Sequence, residues 1–173
     1  KFSKKYNLYK IGEKKNIHSL KYIKKFDILF HFAFVKKIKN QNDYIKNKLT
    51  MLKLLKYCVK YKATMIFIST YLYGDQPSLI NENTKVSPAS YYSLSKKNCE
   101  DMCKLFNKKY NLNVIILRTF NIYDDNLTQD TIFKKIIISY QQKRKLEIYK
   151  NFIRDYLHIE DFLECLSKLI NKR

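Results

Sequence analysis

The chain is poor in the residues that interrupt regular structure: its 173 positions hold two glycines, two prolines and three alanines. With only Gly12 and Gly74 available, it lacks the glycine-rich strand–turn–helix that places a dinucleotide pyrophosphate on a helix N-terminus. No apolar stretch approaches the roughly 20 residues of a membrane span, and no secretory leader is visible. These absences predict a cytoplasmic protein of one domain's length that does not cross a membrane.

Metal-binding spacings are also missing. The four cysteines form no Cys-x2-Cys pair, and the three histidines lie far from them in the sequence. Zinc sites need such pairs, so no metal site is predicted. Cys99 and Cys103 are four residues apart on a predicted helix, where packing is the favoured role. Cysteines used in this way are typical of a reduced, cytosolic protein.

Acidic residues are scarce: the chain has 15 of them against 35 basic residues, for a formal net charge of +20. This charge attracts phosphates, and a basic nucleic-acid binder is one class of protein that it permits. However, Lys, Asn, Ile and Tyr together supply 81 residues, which is how an AT-rich genome encodes a soluble protein. The basic residues are scattered and form no long arginine-rich block, so we expect no specific nucleic-acid partner.

Buried apolar runs alternate with helical periodicities along the chain. Strands are predicted at residues 28–33, 64–70, 113–118 and 146–149, and helices at 44–60, 92–109, 129–143 and 161–171. The apolar face of the first helix is predicted to include Ile45, Leu49 and Leu55. This alternation predicts an α/β fold with a parallel sheet, in which ligands bind beyond the carboxyl ends of the strands.

Reactive side chains gather at those strand ends. Ser69 and Thr70 end the second strand. The following helix carries Tyr92, Lys96 and Glu100 on one face, because they are spaced at i, i+4 and i+8. An ammonium next to a phenol favours the phenolate and lowers its pKa, so we predict that Tyr92 is a base activated by Lys96. With the Ser69 or the Thr70 hydroxyl holding the substrate oxygen, this set suits hydride transfer at a sugar alcohol.

The Tyr-x3-Lys spacing is not specific by itself. Three such pairs occur, as many as random placement of 15 tyrosines and 31 lysines gives. They are Tyr6/Lys10, Tyr44/Lys48 and Tyr92/Lys96. The third pair alone follows a buried strand, a Tyr-Gly turn and a proline-containing loop, and this context carries the prediction.

Six motifs occur in a fixed order from about residue 26 onward: His31-Phe-Ala33, Asn47 opening a Leu-rich helix, Ser69-Thr-Tyr-Leu-Tyr-Gly74, Pro88-x-Ser90 before Tyr92 and Lys96, Leu117-Arg-Thr-Phe-Asn-Ile-Tyr123, and Arg154-Asp-Tyr-Leu-His-Ile159. In this order they resemble the extended short-chain dehydrogenases/reductases, that is, the NAD-dependent epimerase/dehydratase family. Within the family they are most similar to UDP-galactose 4-epimerases.

The resemblance implies a Rossmann-like, doubly wound parallel sheet that is incomplete at the N-terminus. A partial NAD-binding domain would occupy residues 1–128, and the start of a substrate-binding lobe residues 129–173. It implies NAD as cofactor, a nucleotide sugar as substrate, hydride transfer through a 4-keto sugar, and it permits a homodimer. The implied catalytic residues are Ser69 or Thr70, Tyr92 and Lys96. Cofactor binding is implied for His31, Ala33, Lys36, Asn47, Tyr92, Lys96 and Phe120, and substrate binding for Asn121 and Arg154.

Several of these residues have a simpler interpretation. His31 fits a core histidine bonded to backbone equally well, Lys36 fits a solvated charge, and Asn47 fits a helix start. Arg154 suits a diphosphate because its guanidinium is planar, but it also suits a salt bridge to a nearby carboxylate. Packing is favoured over recognition for Phe120.

The chain also departs from the family's pattern. Phe34 stands where the epimerases that it resembles have a glycine close to the cofactor, and Asp124-Asp125 replaces a Gly-Pro pair. A dehydratase is expected to show Thr-Asp-Glu where this chain has Thr70-Tyr-Leu72, so an epimerase or a reductase is favoured. Two interpretations stay open: an internal piece of an NAD-dependent epimerase, or a truncated homologue that binds without catalysis. In neither do we expect residues 1–173 alone to be active.

Overall fold

The computed structural model describes residues 7–9, 25–35, 38, 40–71, 74, 80–81, 83–125, 132–148 and 155–171. The chain divides into two compact units, Lys1–Arg118 and Thr119–Arg173. The division falls near the end of a strand, whereas the resemblance implied a boundary at residue 128. Both units contain helices and parallel strand pairs.

The first unit is built on a three-stranded sheet in the order β1-β2-β3. Its elements are β1 (Ile28–His31), α1 (Gln41–Tyr61), β2 (Thr64–Thr70), α2 (Tyr91–Tyr110) and β3 (Val114–Thr119). β1 and β2 are parallel. Because β2 is the central strand, six of its seven residues are buried, as expected for a continuous apolar run between two neighbours.

The core of this unit lies between α1, α2 and the sheet. Its buried side chains are Leu29, Met51, Leu54, Leu55, Cys58, Met65, Phe67, Cys99, Cys103, Phe106 and Leu112. Burial raises the pKa of the Cys58, Cys99 and Cys103 thiols to about 12, so they stay protonated and pack as small apolar groups. The packing role predicted for Cys99 and Cys103 is confirmed.

Polar residues define the ends of both helices. Asn40 begins α1, and its side chain accepts a hydrogen bond of 3.1 Å from the Asp43 N–H. Ser90 begins α2 through a capping box with Ser93, in which each side chain accepts from the backbone N–H of the other. Asn111 follows α2 in the left-handed region, with φ of 50°.

Gly74 follows β2 at a point where the backbone requires glycine. Its φ is +65°, and a Cβ added there would lie 2.5 Å from the Ser87 carbonyl oxygen. A side chain at this position would therefore push apart the segment that leaves β2 and the segment that leads into α2.

The described residues of the second unit form two three-residue strands and two helices. Strand β4 (Asn121–Tyr123) pairs in parallel with β5 (Tyr156–His158), helix α3 spans Ile132–Gln141 and helix α4 spans Ile159–Asn171. The rings of Tyr123, Phe133, Tyr156 and His158 form an aromatic cluster. Among the residues that the structure describes, no helix is long and apolar enough to cross a membrane.

One predicted element is wrong, and the predicted face of another is right only in part. Residues 146–148 do not form a strand, and Ile148 is 67% exposed, because this segment finds no sheet neighbour within the described residues. The apolar face predicted for α1 is right at Leu55, which is fully buried, and wrong at Ile45 and Leu49, which are 40% and 52% exposed. In the first half of the helix the buried residues are Asn47 and Met51.

Candidate active site

The side chain of Lys96 is buried against β2, with 3% of its surface exposed. Its ammonium donates a hydrogen bond of 2.6 Å to the Ile68 carbonyl oxygen. Three rings surround the ammonium, with centroids 4.0 Å (Phe34), 4.8 Å (Phe67) and 5.8 Å (Tyr92) from Nζ. We refer to these five residues as the Lys96 cage. A carbonyl dipole and the negative faces of aromatic rings thus help stabilise a cation removed from water.

Tyr92 lies half-buried in the first turn of α2. Its ring meets the Phe34 ring edge-on, with the centroids 5.8 Å apart. Burial raises the pKa of the Tyr92 phenol above its ordinary value. The sequence predicted the opposite direction, and that prediction is wrong for this arrangement. The Lys96 ammonium is directed at the Ile68 carbonyl, and the lost hydration of the phenolate dominates.

The alternation of side chains along β2 distinguishes Ser69 from Thr70. Phe67 belongs to the Lys96 cage, and Ser69, two residues further on, lies on the same face of the strand. Ser69 is buried, whereas Thr70, on the opposite face, is half-buried. The fold therefore brings the Ser69 hydroxyl, rather than that of Thr70, to the face of β2 that carries Lys96.

His31 forms part of the wall beside the cage. It is 5% exposed, and its ring stacks on Phe67 with the centroids 5.7 Å apart. Burial lowers the pKa of His31 to about 4, and the positive charge of Lys96 adds to this effect, so the imidazole is neutral near pH 7. Its Nε2 atom has no hydrogen-bond partner among the described residues. A buried polar atom of this kind fits a ring that lines a ligand.

Asn47 connects three parts of the first unit. Its Oδ1 accepts from the Val35 N–H at 3.0 Å, and its Nδ2 donates to the Val35 carbonyl at 3.3 Å and to the Ser95 hydroxyl at 3.4 Å. Since α1 begins after Asn40, the helix-start interpretation of Asn47 is wrong. The bonds tie the segment after β1 to α2 next to Lys96. Sequence reasoning missed Ser95, whose position directly before the candidate lysine is the available signal.

One turn after Lys96, the fully buried Glu100 forms an ion pair with Arg118 of β3. Arg118 Nε lies 3.0 and 3.2 Å from the two carboxylate oxygens, and Nη2 lies 2.7 Å from Oε2. A forked contact of this kind satisfies a carboxylate that has lost its water. The sequence placed Glu100 on the Tyr92–Lys96 face but did not identify its partner. An arginine near the end of the next strand is the signal that points to it.

The remaining predicted site residues are Ala33, Lys36, Phe120, Asn121 and Arg154. Ala33 precedes Phe34 and is exposed. Phe120, which is 39% exposed, and Asn121, which begins β4, belong to the second unit. Lys36 and Arg154 lie outside the described residues.

Comparison with known proteins places this arrangement in a family. The model of the NAD-dependent epimerase/dehydratase family matches residues 5–173. The chain belongs to this family. Curated relatives of this family member include enzymes of two kinds. The uncharacterized UDP-glucose epimerase YtcB of Bacillus subtilis (strain 168) is 26% identical over 156 residues, which are 84% of this chain and 49% of YtcB. The dTDP-D-glucose 4,6-dehydratase of Dictyostelium discoideum is 30% identical over 170 residues, which are 86% of this chain and 39% of the dehydratase.

Solved structures give the same fold. UDP-glucuronic acid 4-epimerase from Bacillus cereus in complex with NAD matches with a TM-score of 0.78 and 24% identity over 87% of this chain and 51% of that one. UDP-N-acetylglucosamine 4-epimerase from Methanobrevibacter ruminantium M1 matches with a TM-score of 0.73 and 26% identity over 84% of this chain and 52% of that one. The predicted α/β, Rossmann-like fold is confirmed. The epimerase/dehydratase chain spans about half the length of the curated relatives that it matches, or less.

Proposed function

We propose that the protein to which these residues belong is an NAD-dependent nucleotide-sugar epimerase, which oxidises a sugar hydroxyl and reduces the 4-keto sugar from its other face. One observation carries this proposal. Lys96 packs against the face of β2 that carries Ser69, and the Tyr92 ring, one helical turn before Lys96, lies 5.8 Å from the ammonium. A hydroxyl, a phenol and an ammonium on one side of the sheet are suited to act together on one carbon–oxygen bond of a sugar.

Each group has a distinct task in this proposal. Tyr92 takes the proton of the sugar hydroxyl and later returns it, while Ser69 holds the same oxygen through a hydrogen bond. Lys96 offers its positive charge to the phenolate. Asn47, through its bond to Ser95, keeps α2 in position beside the segment that follows β1. When NAD is bound, it supplies a hydride acceptor that also returns the hydride.

The groups in and around the cage have the chemical properties that a bound dinucleotide needs. A buried ammonium suits ribose hydroxyls, the neutral His31 ring and Phe67 form a flat aromatic wall, and the His31 Nε2 is a buried polar atom. NAD would be held by these groups, with Ala33, Lys36 and Phe120 as further contacts. The nucleotide sugar would be held by Asn121 and Arg154.

Epimerisation is favoured over dehydration by the residues that follow β2. Loss of water from a 4-keto sugar needs an acid and a base, whereas residues 70–72 read Thr-Tyr-Leu and supply no carboxylate. Because the relatives include epimerases and dehydratases, this difference is the argument for choosing between them. A reductase would use the same three groups for a single hydride transfer.

A second candidate function is a homologue that binds a nucleotide sugar or a protein without catalysis. Two observations favour it: the Phe34 ring covers the Lys96 ammonium, and burial raises the pKa of Tyr92 away from the range of an effective base.

The test compares Tyr92→Phe with Tyr91→Phe in the full-length protein. Tyr91 is the adjacent residue on α2 and is 74% exposed, so it provides a matched control. With NAD and a panel of UDP-glucose, UDP-glucuronic acid and UDP-N-acetylglucosamine, we expect Tyr92→Phe to lower turnover by roughly a thousandfold, the effect of losing a general base. Bound NAD, measured by calorimetry, should be unchanged, and Tyr91→Phe should match the wild type.

Each alternative has its own result. Full activity of Tyr92→Phe would remove this residue from the role of base. Nucleotide-sugar binding without turnover of any sugar in the wild type would support the second candidate and reject the enzyme.

A further inference from the structure

Phe34 differs from the other members of the Lys96 cage in how it is held. Phe67 is fully buried in the central strand, and Ile68 contributes a backbone carbonyl of the same strand. Phe34, by contrast, is half-buried in the irregular segment between β1 and α1. Its ring nevertheless makes the shortest of the three ring contacts with the ammonium, 4.0 Å from Nζ. It also meets the Tyr92 ring edge-on.

Because Lys96 is buried, a ligand hydroxyl can reach its ammonium only if one of the surrounding groups moves. The groups differ in how much of the structure would be disturbed by such a movement. Removing Ile68 would break the central strand, and removing Phe67 would open the core. Phe34 is partly buried and packs against the edge of the core, and its neighbour Val35 makes two backbone hydrogen bonds to Asn47. A rotation of the Phe34 side chain would therefore uncover the ammonium without breaking β2.

We propose that Phe34 is a gate on the Lys96 ammonium and thereby a determinant of which ligand binds at this site. With the ring on the ammonium, Lys96 is shielded and satisfied by the protein itself. A ligand with vicinal hydroxyls, such as the ribose of a nucleotide, reaches Lys96 only by displacing the ring, and loses binding free energy in doing so. The idea of a ribose ligand rests on the proposed function, whereas the shielding of Lys96 does not.

The experiment measures acylation of the Lys96 amine in the full-length protein by acetic anhydride, read by mass spectrometry of the peptide that contains it. Lys97, in the same peptide, is the internal reference, because its side chain is 27% exposed. The variants are Phe34→Ala and the matched Phe32→Ala, which removes an aromatic ring of the same segment that is 54% exposed. Phe34→Leu is the third variant, because it retains bulk but loses the aromatic face.

We expect Phe34→Ala to raise the rate of Lys96 acylation roughly tenfold relative to Lys97, in line with the loss of a desolvated cation–π contact. Phe32→Ala should leave the ratio unchanged, and Phe34→Leu should raise it by less than about threefold. Equal protection of Lys96 in the wild type, in Phe34→Ala and in Phe34→Leu would overturn the gate. If thiol reagents reach the buried Cys103 in Phe34→Ala, that variant has unfolded, and the Phe34→Leu and Phe32→Ala ratios decide.

A titration with NAD separates this inference from the proposed function. If the gate and the function are both right, Phe34→Ala binds NAD more tightly than the wild type, and bound NAD restores protection of Lys96. If Lys96 becomes reactive in Phe34→Ala but NAD neither binds nor protects it, the gate stands and the NAD-dependent function fails. If NAD binds and Phe34→Ala changes neither its affinity nor the acylation ratio, the function stands and the gate fails.

Discussion

Two buried charges lie one turn apart on the same face of α2 and are stabilised in different ways. Glu100 meets the formal positive charge of Arg118 through a forked set of hydrogen bonds. Lys96 is held instead by the Ile68 carbonyl and by the faces of aromatic rings. A forked ion pair binds its partner tightly and specifies geometry, whereas a dipole and ring faces hold a cation more weakly and can be exchanged for a ligand. The comparison indicates that Glu100 anchors the helix, and under the proposed function Lys96 is the charge that acts on the ligand.

The largest effects are expected when each charge is neutralised in turn. Glu100→Gln leaves Arg118 facing a neutral amide, and we expect it to lower the free energy of unfolding by about 3–5 kcal/mol. Lys96→Met replaces the ammonium by an apolar group of similar length among aromatic rings, and we expect a change within about 1 kcal/mol. Chemical denaturation of both variants measures the difference.

Asp101→Asn provides the control, because it removes an exposed ion pair with Lys97 on the same helix. We expect a change below about 0.5 kcal/mol. If Lys96→Met proved as destabilising as Glu100→Gln, both charges would be structural anchors and the contrast between them would be lost.

A second prediction concerns the effect of pH on the cage. The pKa of His31 falls from 6.5 to about 4 on folding. Between pH 6.5 and pH 4 this residue is therefore protonated in the unfolded chain but not in the folded chain. The stability that this residue contributes is complete above pH 6.5 and is lost as the pH falls towards 4. The full loss, reached below pH 4, amounts to about 3 kcal/mol, and about 2 kcal/mol of it falls between pH 7 and pH 4.5. Denaturation at these two pH values measures that part.

His31→Phe keeps the stacked ring but cannot take a proton, so this part of the pH dependence should vanish. His158→Gln, in the second unit, should retain it. An unchanged pH dependence in His31→Phe would show that the folded protein accepts the proton and that burial does not control this residue.

The smallest effect is expected at the N-terminal cap of α2, the helix that carries both charges. Ser90→Ala removes the capping box of α2 and should cost about 1 kcal/mol, measured as a lower midpoint of denaturation. Because Ser90 begins the helix that carries both Lys96 and Glu100, the contrast between their substitutions should survive in this background. Ser139→Ala, within α3, should instead stabilise by a few tenths of a kcal/mol. A similar loss in both serine variants would mean that the cap itself contributes little.

The sequence predicted the central parts of the first unit because local signals agree there. The apolar run of β2 and the spacing of Tyr92, Lys96 and Glu100 require no knowledge of distant contacts. The rotation of α1 does require it, because Asn47 is buried on the side of Met51 through its bonds to Val35 and Ser95, whereas the apolar Ile45 and Leu49 are exposed. Local patterns therefore predict which elements form better than they predict how those elements are turned.

The remaining features depend on partners far along the chain. Strands β4 and β5 are three residues each, and they pair across more than thirty intervening residues. Strands this short give no apolar run from which the sequence could predict them. Likewise, the raised pKa of Tyr92 follows from burial in the folded protein and not from its spacing to Lys96. The sequence shows Phe34 as a departure from the family's pattern, but its contact with Lys96 joins residues that are distant in the sequence.

The start of α2 has a consequence for the electric field at the candidate base. Ser90 caps the helix, so Tyr92 occupies its second position, where the unpaired N–H groups give the helix its positive pole. This pole favours an anion by about 0.3–1 kcal/mol within the first turn. A phenol equally buried in the middle of the helix would hold its proton more strongly still. The backbone of α2 thus favours the Tyr92 phenolate, in the same direction as the Lys96 charge and against the effect of burial.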